Sequence, residues 1–569
     1  MKNLNIISFM VGVLLLLGCH DIMDVDNKSA ISADAVFSDQ GLVEAYLFQI
    51  YGYTPFEYMR GAPTVVGQDG PGGRGFNTTF MLATITDEAR AKSGWVDAND
   101  EVVPGNISPT RNVGLDVWED HYRAIRECNT MIQGLESSPL NEDFVKQISA
   151  EARWVRSLFY FDLARRYGGV PIITKPQGLD DEVFVSRNPI ADVYQFIYSE
   201  LEAIANDLPS VTEGAQRDRA NREAAWALNG RAMMYAERWD DAAALSKKVI
   251  DAGMELSPDY GELFRSYGED PEVLFEIRME VGTFGHGLDK WNYPVGYRSE
   301  AGGQLNPTQE MVDSYEMANG LPINDPISGY DPADPYANRD PRLEASILYH
   351  GNSLGVQPLI GIDRIDTEFI VGREALRKPN EGNDSQSGYY LKKFLDPSLG
   401  VNPDRGASKQ SFKHLRFGEV LLNYAESRNE ANGPDQSVYD AINEIRARAG
   451  MPNTPTGQSK DDMRETIRHE RKIELAFETH RWFDLIRWDL SEQVLNGKQF
   501  HGMKVTRKGD VPDPYVAEYE PENLNYDPTF VISTSKPQVF LPHFYLMPIP
   551  QSEIDKNPNL AQNPGYGPN

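Results

Sequence analysis

Leu415-Arg-Phe-Gly-Glu-Val-Leu-Leu-Asn-Tyr-Ala-Glu-Ser-Arg-Asn-Glu-Ala-Asn432, closed by Gly433, and Ser437-Val-Tyr-Asp-Ala-Ile-Asn-Glu-Ile-Arg-Ala-Arg-Ala449, closed by Gly450, decide the fold class. Each reads as one helix of an antiparallel pair, with glycine ending the turn. Small residues (Ala425, Ala431, Ala441) stand where the two helices must approach closely. The same arrangement occurs earlier as Asn221–Glu237 followed by Asp240–Asp251, stopping at Gly253, with Ala224, Ala225, Ala232, Ala243 and Ala244 as the small residues.

Both units are near the 34 residues of tetratricopeptide motifs. Such units cannot bury a face alone and must stack on neighbours. About 160 residues of different character separate them, so the spacing predicts a helical scaffold assembled from non-contiguous pairs rather than a regular solenoid. Trp118, Tyr122, Ile125, Cys128 and Ile132 recur at three- and four-residue steps, as do Phe144, Ile148, Ala152, Val155, Leu158 and Phe161 before Gly168-Gly169 and Pro171. A third run passes through Val193, Ile197, Leu201 and Ile204, and Asp461–Thr479 leads into Arg481–Leu490. This periodicity marks buried helical faces. Between the helices lie insertions at 55–112, 255–412 and 497–545, rich in Gly, Pro, Asp and Asn, with short strands expected at Val273–Ile277 and Val539–Leu541. Loops this long are functional or disordered, and their interspersed Trp, Tyr and Phe argue for order. The expected fold is mainly α with a loop-rich irregular region. It divides into an N-terminal region over 33–254 and a C-terminal region over 255–569.

Lys2 and the apolar run ending in Leu16-Leu17-Gly18-Cys19 read as a secretory signal over residues 1–18. A small residue before cysteine resembles the bacterial lipobox, so Cys19 is the expected acylation site, followed by a linker over 19–32. Cleavage there removes Lys2 and no acid, moving the formal charge from −30 to −31. A chain this acidic, with no Lys/Arg-rich block, does not suit phosphate-backbone recognition, which excludes nucleic acid as the expected partner. Cys128 then has no intrachain partner and falls in an apolar stripe, so it reads as a small core residue.

Reaction chemistry is absent from the motifs. There is no HExxH, no GxSxG and no P-loop, and Gly70-Pro71-Gly72-Gly73-Arg74-Gly75 fits a dinucleotide fingerprint by letter only, without the alternating strands and helices it needs. No motif calls for a cofactor or a metal. Arg468, Glu470, Arg471, Glu474, Glu478 and Arg481 read as i,i+3 and i,i+4 ion pairs at a helix junction rather than an acid/base site. Ligand chemistry is better supported in the insertions. Trp95 lies beside Asp97, and Trp291, Tyr293 and Tyr297 lie in Lys290-Trp-Asn-Tyr-Pro-Val-Gly-Tyr-Arg298. An aromatic face beside hydrogen-bonding groups suits a sugar ring, whose axial C–H face is apolar and whose rim is hydroxyls. Each ring covering ~50–100 Å² of ligand contributes ~1–2.5 kcal/mol. The expected ligand-binding residues are Asp69, Arg74, Trp95, Trp291, Tyr293, Tyr297 and Arg298.

From Cys19 to the C-terminus the chain resembles the SusD/RagB family of Bacteroidetes outer-membrane lipoproteins. The resemblance is carried by Cys19-His-Asp-Ile-Met-Asp-Val-Asp26, Arg165-Arg-Tyr-Gly-Gly-Val-Pro171, Asn338-Arg-Asp-Pro-Arg342, Glu419-Val-Leu-Leu-Asn-Tyr-Ala-Glu426, Arg481-Trp-Phe-Asp-Leu-Ile-Arg-Trp488 and the tail through Gln562-Asn-Pro564, all in order. It implies a surface-exposed, lipid-anchored glycan-binding protein without enzymatic activity. Its partners would be an oligo- or polysaccharide and a SusC-like TonB-dependent transporter. A peptide or another nutrient is the alternative ligand, and a glycosidase the remote one.

Overall fold

A computed structural model describes residues 33–54, 81–92, 102–111, 115–178, 180–266, 270–278, 286–297, 302–358, 363–369, 385–404, 407–509, 521–532 and 537–567. Its main helices are α1 (Gln40–Tyr51), α2 (Trp118–Leu135), α3 (Glu142–Tyr167), α4 (Ile190–Ile204), α5 (Arg222–Tyr235), α6 (Trp239–Asp251), α7 (Leu288–Asn292), α8 (Phe417–Asn432), α9 (Gln436–Arg448), α10 (Lys460–Glu474) and α11 (His480–Arg487). Paired strands join distant segments: β1 (Ala89–Ala91) with β3 (Leu305–Pro307), β2 (Val273–Ile277) with β6 (Phe412–Arg416), β4 (Ile347–Leu348) with β5 (Tyr390–Leu391), and β7 (His501–Arg507) with β8 (Leu524–Val531). Among the described residues no helix is long and apolar enough to cross a membrane. Cys19 lies outside them.

Several helices begin or end at residues whose side chain or backbone caps them. Asn221 Oδ1 accepts the Ala224 N–H at 2.9 Å, Asp340 caps the turn opened by Pro341, and Gly168 leaves α3 at φ +76°. From Trp154 to Tyr167 nearly every side chain of α3 is buried, charged ones included. Its polar groups therefore find partners inside the protein: Arg156 donates to Asn129 and to Glu200, each at 2.6 Å, and Asp162 meets His121 at 2.7 Å. Cys128 is fully buried against this layer, and burial pushes its thiol up to about 12, so it stays a protonated core residue.

Successive helices pack in a continuous layer, α2 on α3, α3 on α4, α4 on α5 and α5 on α6. Then α6 lies along α8, which packs on α9 and α10. The two helix pairs that are far apart in sequence are thus direct neighbours in space, as the stacking requirement of such units demands. Gly230 shows how close α5 and α6 come: a Cβ there would stand 3.1 Å from Ser246 Oγ. Ala224, Ala225, Ala232 and Ala243 are buried at these contacts, whereas Ala244 faces solvent and takes no part.

Three further expectations are corrected. Leu415-Arg416 belongs to β6, not to the helix, because pairing with β2 holds Arg416 extended at φ −140°, ψ 156°. The helix expected to reach Thr479 stops at Glu474, since Phe477 and Thr479 adopt φ +62° and +71°. Val539–Leu541 forms no strand; Val539 N–H makes one bond, to Val103 O at 2.8 Å.

The acid- and base-rich stretch at 468–481 is structural, but it is not a local ladder. Glu470 receives Arg342 and Arg446, Glu474 receives Arg342, Arg416 and Arg448, Glu478 receives Arg416 and Lys393, and Arg481 holds Asp87. Burial pushes the Glu474 carboxyl up, but the Arg448, Arg416 and Arg342 guanidiniums outweigh it and hold it below the usual carboxylate range. These groups fasten the helical layer to the insertion that carries α7.

Candidate functional site

The segment 286–297 is clamped from several sides. His286 and Ser408 exchange backbone hydrogen bonds at 2.8 and 3.1 Å, and Gln304 N–H donates to Trp291 O at 3.0 Å. Asn292 Oδ1 accepts the Leu305 N–H at 3.2 Å, and Asn402 N–H donates to Tyr297 O at 2.9 Å. On a helix this short, residues 289, 292 and 293 share one face, and that face is inward. Asp289, Asn292 and Tyr293 have no exposed surface.

This overturns the expectation that Tyr293 and Tyr297 present their rings to a ligand. Both are fully buried in a small core with Leu348, Leu354, Ile365, Tyr390 and Leu395. Tyr293 OH donates to Asp396 O, and Tyr297 OH donates to Asp363 Oδ1 at 2.7 Å. They are anchors: their rings fill the core and their hydroxyls tie α7 to the loops behind it. Trp291, on the other side of the helix, is half-buried. Asp69, Arg74, Trp95 and Arg298 lie outside the described residues.

Two glycines shape the surround. Gly303 combines φ +61° with a Tyr390 ring carbon 2.4 Å from where a Cβ would sit, so no other residue fits. At Gly287 the backbone would accept a side chain (φ −105°), but a Cβ would stand 2.8 Å from Trp291 Nε1. The indole lies across this glycine. Gly287→Ala is therefore expected to displace the Trp291 ring and shift its fluorescence emission, while changing overall stability by no more than about 1 kcal/mol. An unchanged emission spectrum would show that the ring does not rest there.

The Lys92 end of β1 arrives at the same place. Lys92 N–H donates to Gln304 O at 3.0 Å, and Lys92 Nζ reaches Gly302 O at 2.9 Å. Gln304 thus bridges the Trp291 backbone and the residue from which the chain enters the 93–101 segment. Spacing alone gives no sign of this meeting, because its bonds span some two hundred residues. Sequence reading also passes over Asp289. Its Oδ1 accepts the Asp396 N–H at 2.7 Å, and its Oδ2 accepts Ser408 Oγ at 2.6 Å and Gln410 Nε2 at 2.7 Å. A separate aromatic group, unmarked in the sequence, places Tyr336 and Tyr349 in a stack 4.1 Å apart with Tyr526 edge-on.

The SusD family profile matches residues 271–566. The chain belongs to the SusD family. A second profile, described as starch-binding and associating with the outer membrane, matches residues 75–234. SusD-like protein P2 of Formosa agariphila is 24% identical over 583 aligned positions, covering 98% of this chain and 99% of that protein. A crystal structure of a SusD-like carbohydrate binding protein from Bacteroides fragilis superposes with a TM-score of 0.75 at 25% identity, covering 92% of this chain and 100% of that one. A laminarin binding SusD-like protein shares the fold with a TM-score of 0.62 at 20% identity, covering 92% and 99%. These matches tie the chain to a carbohydrate-binding, outer-membrane-associated SusD family.

Proposed function

We propose that the protein captures a neutral oligo- or polysaccharide at the cell surface and passes it to a SusC-like TonB-dependent transporter. Acyl chains on Cys19 would hold it to the outer membrane. The observation that carries the ligand side of this reading is the meeting of two elements. A half-buried Trp291 sits on a helix anchored by Asp289, Tyr293 and Tyr297, beside the Lys92 exit of β1, three residues before Trp95. A flat ring on a fixed backbone stacks on a sugar without first being ordered. Asp69, Arg74, Trp95 and Arg298 complete the proposed contact set, with the arginines and Asp69 meeting hydroxyls. The formal charge of −30 favours a neutral glycan over a strongly anionic one. The carbohydrate-binding description of the B. fragilis neighbour and the laminarin binding of another point the same way.

Calorimetric titration against neutral plant, fungal and host polysaccharides tests this directly. A hit should lie in the ~µM-to-mM range. Trp291→Ala should weaken it about five- to seventyfold, the cost of ~1–2.5 kcal/mol of lost ring burial, with the circular dichroism spectrum unchanged. Full affinity in Trp291→Ala would remove that residue from the site. Silence across the panel, with and without the transporter, would turn the reading toward a peptide or another nutrient.

A further inference from the structure

Asp289 is a charged side chain with no exposed surface, placed two residues before the proposed sugar-contacting ring and bonded to two other segments of the chain. Its Oδ1 takes the Asp396 N–H, its Oδ2 takes Ser408 Oγ and Gln410 Nε2, and its own N–H donates to Ser408 Oγ at 3.0 Å. Gln410 is itself fixed by donating to Phe394 O at 2.9 Å, and Asp396 O accepts the Tyr293 hydroxyl. One carboxylate therefore joins α7 to the 394–400 turn and to the 407–410 segment. Trp291 is carried on the same short helix, its carbonyl held by Gln304.

We propose that Asp289 is a positioning residue for the Trp291 contact: by accepting three hydrogen bonds it sets where α7 presents the indole, so that affinity for the glycan depends on a carboxylate the glycan never touches. This inference rests on the ligand reading given above. It goes beyond that reading by naming the group that governs the contact.

The positioning has a proton dependence. Burial pushes the Asp289 carboxyl up to about 6, the Gln410, Ser408 and Asp396 N–H bonds oppose this, and the Asp396 carboxylate adds to it. His286, held by Gln410 O and by the Leu288 N–H, is pushed by burial down to about 4 and stays neutral between pH 5 and 8. When Asp289 takes a proton, one acceptor becomes a donor facing groups that already donate, and the clamp on α7 loosens.

The test uses the full chain purified in detergent, with soluble laminarin as the probe. Trp291 emission, isolated from the chain's other tryptophans by subtracting a Trp291→Phe spectrum, is followed from pH 5 to 8 beside the laminarin affinity. Wild type should show an emission shift with a midpoint near pH 6, and an affinity about tenfold weaker at pH 5 than at pH 7.5, the scale of one lost charge-assisted hydrogen bond. Asp289→Asn should be flat across this range at the weak level. Ser408→Ala removes one bond to the carboxylate, so it should move the midpoint upward, and it decides the matter if Asp289→Asn does not fold. An emission titration that persists unchanged in Asp289→Asn, or a Ser408→Ala midpoint that does not move, overturns the proposal. If laminarin does not bind wild type, the glycan reading loses that support, while the emission titration still decides whether Asp289 positions Trp291.

Discussion

Replacing Arg416 by alanine should cost the folded protein about 3–5 kcal/mol, the scale of breaking a buried ion pair from one side. Arg416 is 1% exposed at the junction of β6 and α8, and all its guanidinium nitrogens are used. Nη1 reaches Glu272 at 2.6 Å and Glu474 at 2.8 Å, while Nε and Nη2 form a fork on Glu478 at 2.7 Å each. Nη2 also donates to the Glu474 carbonyl at 2.9 Å. Alanine takes one cation from each of three buried carboxylates, leaving Glu272 with Arg448, Glu474 with Arg342 and Arg448, and Glu478 with Lys393, and so leaves five carboxylate and carbonyl contacts of the guanidinium unmade in the interior. Lysine is not an adequate replacement, because a single ammonium cannot reproduce the planar fork on Glu478. Gly418 belongs to the same arrangement: a Cβ there would lie 2.8 Å from Glu272 Oε1 and close upon Arg416 itself. Arg123, whose pair with Glu119 is mostly exposed, is the contrast, and Arg123→Ala should stay within about 0.5 kcal/mol of wild type. Urea unfolding of the three proteins decides this, and an Arg416→Ala variant within about 1 kcal/mol of wild type would mean the network relaxes around the loss.

The same network marks how far the sequence can be read. The helical scaffold was legible because burial follows a 3.6-residue period and because Asn221, Asp340 and Gly168 cap as isolated turns would. Nothing local says that α6 lies along α8, or that Glu470 and Glu474 at the end of α10 and Glu478 in the turn after it reach away from their own segment to Arg342, Arg416 and Arg446. Oppositely charged residues at i,i+3 and i,i+4 satisfy the pattern of a surface ladder equally well. The site divides in the same way. The cluster Trp291, Tyr293, Tyr297 was visible as composition, but which ring faces out depends on one short helix and on Asp396, Asp363 and Tyr390, more than sixty residues away. Asp289 was invisible because an Asp beside a Lys reads as an ordinary surface residue until its partners at 396, 408 and 410 are known.

Glu88→Gln should make the protein more stable above neutral pH, by about 3 kcal/mol at pH 8, and leave it nearly unchanged near pH 4.5. Glu88 is buried just before β1, and its Oε1 accepts the Phe477 N–H at 3.0 Å, holding a phenylalanine at φ +62° in the turn between α10 and α11. A left-handed conformation at such a residue costs about 1–3 kcal/mol and needs this kind of support. Its Oε2 has no hydrogen-bond partner among the described residues. Burial pushes the carboxyl from 4.5 up to about 7, with Asp87 adding to the shift and the Phe477 N–H, Arg481 and Lys472 opposing it. The sign follows from proton counting. Between pH 4.5 and 7 the native chain keeps a proton that the unfolded chain has released, so wild-type stability falls across that window and stays lower above it. Glutamine keeps the acceptor for Phe477 and resembles the protonated acid in shape, so it escapes that loss. A denaturation series from pH 4.5 to 8 should show the two curves within about 0.5 kcal/mol at the acid end and diverging steadily toward the basic end. Parallel curves would mean that Glu88 ionises at its ordinary value, with water or a rearranged Lys472 or Arg481 reaching Oε2. Divergence would make Glu88, at the foot of β1, a near-neutral carboxyl whose ionisation weakens the support it gives the α10–α11 turn through Phe477.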